Sequence, residues 1–258
     1  MTQSLLPWLE LPPGGQLAWL LGAAFAAGLA RGFSGFGPAL IFVPVASMVI
    51  GPMRAVPLMT AIDLFAVVAM TRAAWGRADR GEVAMLALGA LGGIPLGLLL
   101  LLRLDLLTLR WAISFLILAL LVLVASGWRF HGRPTRATTV GVGAASGMLA
   151  GIANIAGPPV MVYLLSRGAA PQQIRAVFAL YLAIANTLTA IAFSLAGLVG
   201  AWLPGLLLVT VPAYLLGTWG GARMFGLASE RTFRRVTYAM VVVAAVISFP
   251  LLDSLLRG

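Results

Sequence analysis

The chain has no cysteine and one histidine. Disulfides, thiolate nucleophiles and cysteine metal sites are therefore excluded, and no pair of imidazoles exists to hold an ion. His131 stands in an Arg-rich loop, where a solvated ring is the plain reading. Lysine is absent as well: all 17 basic residues are arginine. A Gly-rich phosphate loop ends in Lys followed by Ser or Thr, so its absence argues against an ATP-driven pump. Charge of either sign is scarce, at 9% of 258 residues with only seven carboxylates. A water-facing surface of this size needs far more charge than that.

What the chain has instead is apolar length. Hydrophobic residues make up 61% of it. Val83–Leu102 and Ala176–Val199 hold no charge, and each suffices to cross a hydrocarbon core of about 30 Å. The expected class is an all-α, polytopic integral membrane protein, with the lipid bilayer as its first partner. A net charge of +10 can signal nucleic-acid binding. Here the arginines fall mainly between apolar segments, where they anchor loops and set orientation, so no nucleic-acid partner is expected. Met1–Gly15 has neither a basic start nor a signal-length apolar run, and it reads as an interfacial lead-in.

Eight apolar regions follow, roughly 17–50, 55–71, 83–102, 110–128, 138–166, 176–199, 203–222 and 235–252. The short loops between them leave no room for a second domain. Two regions are interrupted: the first by Arg31-Gly-Phe-Ser-Gly-Phe-Gly-Pro38, the fifth, about 120 positions later, by Gly151-Ile-Ala-Asn-Ile-Ala-Gly-Pro-Pro159. The segment from Ala27 to Pro38 aligns with Gly147 to Pro158. Arg54-Ala-Val56 aligns with Arg175-Ala-Val177, Gly97 and Arg103 with Gly217 and Arg223, and Thr108-Leu-Arg110 with Thr232-Phe-Arg234. The common order predicts two repeats of four regions, about 17–130 and 138–252, related by a pseudo-two-fold axis.

Arginine placement tests the path. If all eight regions cross, the loops on the two sides hold seven and nine arginines. If regions one and five dip in and return, the division becomes twelve against four. The second asymmetry is the kind the positive-inside rule requires. It predicts inverted repeats, each a broken or re-entrant region followed by three membrane helices, with both termini outside the cytoplasm.

Paired breaks at matching places suggest a transport site, because half-helix ends present free backbone groups that continuous helices lack. Pro38 suits a first helical turn, so a half-helix is expected over Ala39–Ile50 and a second over Val160–Ser166. Their N-termini would cradle an anion. The candidate substrate-binding residues are Arg31, Gly32, Ser34, Gly35, Gly37, Asn154, Ala156, Gly157 and Asn186. Arg31 reads either as a ligand for an anion or carboxylate, or as an interfacial side chain reaching water. Asp63 is the one acidic residue deep in an apolar region, which suits proton uptake and release or a static pair with Arg31. Thr60, Tyr181 and Thr187 are candidates for a polar lining. Gly89, Gly92, Gly93 and Gly97, with Gly217, Gly220 and Gly221, read as packing positions, Pro95 and Pro212 as kinks. Trp75, Trp111, Trp128 and Trp202 read as interfacial anchors.

Gly32-Phe-Ser-Gly-Phe-Gly37, Val43-Pro44, Arg54-Ala-Val56 and the duplicated layout resemble the TauE/SafE family of sulfite exporters, within the toluene sulfonate uptake permease superfamily. The likeness runs from about Leu17 to Leu252. It implies a multi-pass transporter of the bacterial inner membrane, carrying a small anion such as sulfite, a sulfonate or a related organosulfur compound. It leaves open the coupling to a proton or cation, the direction of transport and a homodimeric state. Asn154 stands where the first half has Ser34, so the two half-sites are not identical. The expected function is secondary transport by alternating access, without a cofactor or a bound metal. A passive anion channel is the alternative. A membrane-embedded enzyme is disfavoured, since Asp63 has no deep nucleophile or ligand cluster beside it.

Overall fold

The computed structural model describes residues 11–34, 37–126, 135–224, 238–239 and 241–246. Among the described residues all regular structure is helical. The elements are α1 (Gly14–Ser34), α2 (Pro38–Ile50), α3 (Pro52–Ala74), α4 (Arg80–Arg103), α5 (Leu106–Ala125), α6 (Arg136–Ala153), α7 (Gly157–Ser166), α8 (Pro171–Leu195) and α9 (Trp202–Met224). Region one divides into α1 and α2, and region five into α6 and α7, so both expected interruptions are real breaks. The half-helices begin slightly earlier than expected, at Pro38 and Gly157. Most of the eighth region, 235–252, and Trp128 and His131 lie outside the described residues.

Each break has a local cause. Gly37 takes a left-handed conformation, φ 88° and ψ 11°, which costs a residue without a Cβ almost nothing. Pro38 then opens α2 with a ring already set to helical φ. In the second break the left-handed residue is Asn154, φ 56° and ψ 33°. Asparagine enters that region more readily than most residues with a Cβ. The N–H groups of Asn154 and Ile155 still reach back to Ala150 and Leu149 oxygens, at 2.8 and 3.1 Å, and close the end of α6.

Among the described residues, four helices are long and apolar enough to cross a membrane: Arg80–Arg103, Leu106–Leu123, Pro171–Leu195 and Trp202–Arg223. Pro38–Ile50 and Gly157–Ser166 are shorter apolar helices. The outward faces are apolar too. On α4, Leu88, Leu91 and Leu96 are exposed, and on α9, Leu208, Leu216 and Trp219. Hydrocarbon accepts such a surface and water does not.

The helices pair across the two halves of the sequence. α1 lies along α9, α4 along α6, and α3 against α8. Glycines make the first two pairings close. On α4, Gly89, Gly93 and Gly97 face the backbone of α6 at Val140, Ala144 and Met148; Gly143, Gly147 and Gly151 return the contact at Leu86, Ala90 and Ile94. Gly217 and Gly221 of α9 likewise face Phe25 and Leu29 of α1. In both pairs the contact numbers rise together, so the paired helices run parallel. Small residues permit this backbone approach, which in lipid supplies dispersion contact in place of the hydrophobic effect.

The short helices fold back. Tyr163, near the end of α7, meets Thr139 in the first turn of α6 at 2.6 Å. Arg167, just past α7, meets Glu82 at the start of α4 at 2.7 Å. α6 and α7 thus form a hairpin with both ends beside the start of α4. At the other hairpin, Arg54, just past α2, lies over the Trp202 ring at the start of α9, 5.7 Å from its centroid.

Candidate functional site

The tips of the two hairpins meet at the middle of α3. Asp63 is the central residue of Pro52–Ala74 and is buried, at 5% exposure. Two helices and the second break bring groups to its carboxylate. Arg31, at the end of α1, places Nη1 3.7 Å from Oδ1. Tyr214 of α9 donates its hydroxyl to the same oxygen at 3.1 Å. Asn154, at the second break, donates Nδ2 to Oδ2 at 3.5 Å. Arg31 and Asn154 are each 6% exposed. The sequence left Arg31 between an interior and an interfacial place; the interior place is the observed one, opposite a carboxylate.

These groups border a cavity of about 30 Å³. Its wall brings together Arg31, Gly37, Asp63, Asn154, Ala156, Gly157 and Asn186 of the expected site residues, with Pro38, Ala39, Leu40, Ile155, Pro158 and Leu182. The first turns of α2 and α7 therefore look into one space. A water needs about 10–15 Å³ on this measure, so in this conformation the cavity has room for a few heavy atoms and none for an aromatic ring.

Two polar atoms in the wall stay unsatisfied. Arg31 Nη2 and Asn154 Oδ1 are buried and have no hydrogen-bond partner among the described residues. A buried polar atom in that state calls for an explanation, and a bound water or ion is one that a cavity allows. Backbone donors are fewer than two helix ends suggest. Pro38, Pro158 and Pro159 have no N–H, and the Leu40 N–H is already turned to Gly37 O at 3.1 Å. The candidates that remain include the Ala39, Ala156 and Gly157 amides.

Gly32, Thr60, Thr187 and Tyr181 are not in that wall, and the Ser34 side chain and Gly35 lie outside what the structure describes. Gly32 faces α9, where the Thr218 carbonyl and Ala222 N–H leave no space for a Cβ; it serves helix approach and is not in the cavity wall. Ser34 is the last residue of α1, and Gly35 is outside the described residues. Thr60 is bonded to Val56 O in its own helix at 3.0 Å, and Thr187 to Ala183 O at 2.8 Å. Tyr181 donates to Ser146 at 2.7 Å, and Ser146 donates to the Ala156 carbonyl. That chain of bonds fixes the second break from behind the cavity. Tyr214 was not singled out from the sequence. Its signal was faint: one phenol in the middle of an apolar span.

No curated protein and no solved structure matches the chain. Residues 20–247 match the model of the family described as Sulfite exporter TauE/SafE. That match spans both breaks, Asp63 and Tyr214, and the same residues carry the apolar spans. The chain therefore belongs to the TauE/SafE sulfite exporter family, and is a multi-pass membrane transporter and not an enzyme.

Proposed function

We propose that the protein is a secondary transporter of a small sulfur oxyanion, which binds between the two hairpin tips and is carried by alternating access. The observation behind this reading is one cavity that both breaks line and that holds a buried Arg31–Asp63 pair. Its size favours a compact anion over an arenesulfonate. Asp63 is the group proposed to take up and release a coupling proton.

The path proposed is a pair of inverted repeats. α2 and α7 have 13 and 10 residues, about 20 and 15 Å at 1.5 Å per residue, or roughly half a bilayer. Following α3, α4 and α5 as crossings puts the start of α4 and the start of α9 on opposite faces. The α6–α7 hairpin then opens toward one face and the α1–α2 hairpin toward the other. The face with twelve arginines is the cytoplasmic one, and the N-terminus is periplasmic.

The test uses the cysteine-free background. In cells, Gln172→Cys should react with a thiol reagent only from the cytoplasm and Ala201→Cys only from outside. In liposomes, sulfite uptake should saturate, and Asn186→Leu, which fills the cavity, should weaken its apparent affinity at least tenfold in folded protein. Unchanged affinity would place the site elsewhere. A fast current that never saturates would make the protein a channel.

A further inference from the structure

Arg31 is poorly served by its one ionic partner among the described residues. At 3.7 Å its contact with Asp63 is longer than a hydrogen bond, and Nη2 has none among the described residues. Guanidinium offers five donors in a fork that matches an oxyanion. Asp63, in contrast, has its own donors in Tyr214 and Asn154. The carboxylate can lose the arginine and remain hydrogen-bonded; the arginine can gain a better partner in the cavity it lines.

The charges decide what that partner is. The groups acting on Asp63 are Arg31 from α1, Tyr214 from α9 and Asn154 from α6. α2 and α8 bring Gly37, Pro38, Ala39, Leu40, Leu182 and Asn186 to the cavity, none of them ionisable. No ionisable side chain of α4 or α5 is among those acting on Asp63. Among the described residues the buried site therefore contains one positive and one negative charge and is balanced when empty. An anion added beside an ionised Asp63 leaves a net negative charge in a medium that penalises it severely. A monovalent anion added with one proton on Asp63 restores the balance: Arg31 faces the anion, and Asp63 is a neutral acid. A dianion would still leave one negative charge uncovered.

We propose that Arg31 exchanges partners between Asp63 and the substrate, so that the protein carries one proton with each monovalent oxyanion and moves no net charge. This rests on the site reading above and adds its stoichiometry and valence. Bisulfite-like and monosulfonate ions fit; sulfate-like dianions do not. The Asp63 proton is taken up on the side where the anion binds and released on the side where it leaves.

The probe is methanesulfonate, which stays monovalent at every working pH, so any proton that moves belongs to the protein. Full-length protein is placed in liposomes with a pH dye inside, and valinomycin with potassium sets the voltage. One proton should enter per methanesulfonate, and clamping the voltage should change the rate by less than about twofold. Apparent affinity should weaken by about tenfold per pH unit on the alkaline side, the slope of a single linked proton. Sulfate should compete at least tenfold less well than methanesulfonate. Asp63→Asn should bind methanesulfonate at all pH values, admit no proton with it, and become voltage-driven. Saturable uptake without proton entry, or Asp63→Asn that still moves protons with the anion, would overturn the exchange while leaving the cavity as the site. Arg31→Gln and Asn186→Leu that both keep wild-type affinity would overturn the cavity itself. If Asp63→Asn does not fold, the wild-type proton count and pH slope decide.

Discussion

Gly92 and Gly93 are neighbours on α4 with opposite surroundings, and replacing each by alanine separates packing from propensity. A Cβ on Gly92 meets nothing within 4 Å. Alanine there removes the helix penalty of glycine and should stabilise by about 1 kcal/mol. A Cβ on Gly93 would lie 2.8 Å from Met148 N and closer still to Ala144 O. Both obstacles are backbone of α6, and neither can rotate away. The helices must part by roughly 1 Å, and a gap of that size forfeits a quarter to a half of each dispersion contact along the crossing. The same crossing is lined by Gly89, Gly97, Gly143, Gly147 and Gly151, so the loss is shared along its length. Overpacking of this kind costs about 1–3 kcal/mol. The difference between the two variants should therefore be about 2–4 kcal/mol. For a chain of this size that corresponds to a gap of roughly 10 °C in melting temperature. Thermal unfolding in detergent, followed by light scattering or intrinsic fluorescence, measures it. Two variants melting within about 2 °C of each other would refute the claim that backbone contact holds α4 to α6.

Other substitutions probe the breaks and the caps. Asn154→Gly keeps the left-handed turn, whereas Asn154→Ala adds strain of about 1–2 kcal/mol. The alanine variant should melt below the glycine variant, and both should bind anion equally weakly, having lost the same amide. Asp105 precedes α5 and accepts the Thr108 N–H at 2.9 Å. The Thr108 backbone and side-chain bonds hold its carboxyl below the ordinary value of 3.8. The folded value is the lower one, so the cap's contribution is complete above that ordinary value and disappears as pH falls through the folded one. Hydrogen exchange in the first turn of α5 should speed up only below about pH 4, and Asp105→Asn should remove that transition.

Much of the site could be read from residues that are costly in lipid. Glycine and proline clusters have few uses inside an apolar stretch, so both breaks were visible. Asp63 stands out because a charge at mid-membrane requires a partner, whereas Arg31, beside a break, is equally readable as an interfacial side chain. Tyr214 did not stand out, since a phenol in an apolar helix serves packing, interface or hydrogen bonding without a pattern that separates them. Gly32 was placed in the site because it adjoins the break, but glycine also allows two helices to touch, and only the position of Thr218 distinguishes those uses. Glu82 and Arg167 are 85 positions apart in the chain (167 − 82) and 2.7 Å apart in the fold. No local spacing announces such a pair.

The prolines that open α2 and α7 have one more effect. A helix end with all its amides free grips an oxyanion firmly, and a tight grip slows departure. Pro38, Pro158 and Pro159 withdraw three of those amides, so on the proposed function a guest would meet an arginine, an amide side chain and few main-chain donors. Weak retention suits a carrier, whose turnover depends as much on letting go as on catching hold.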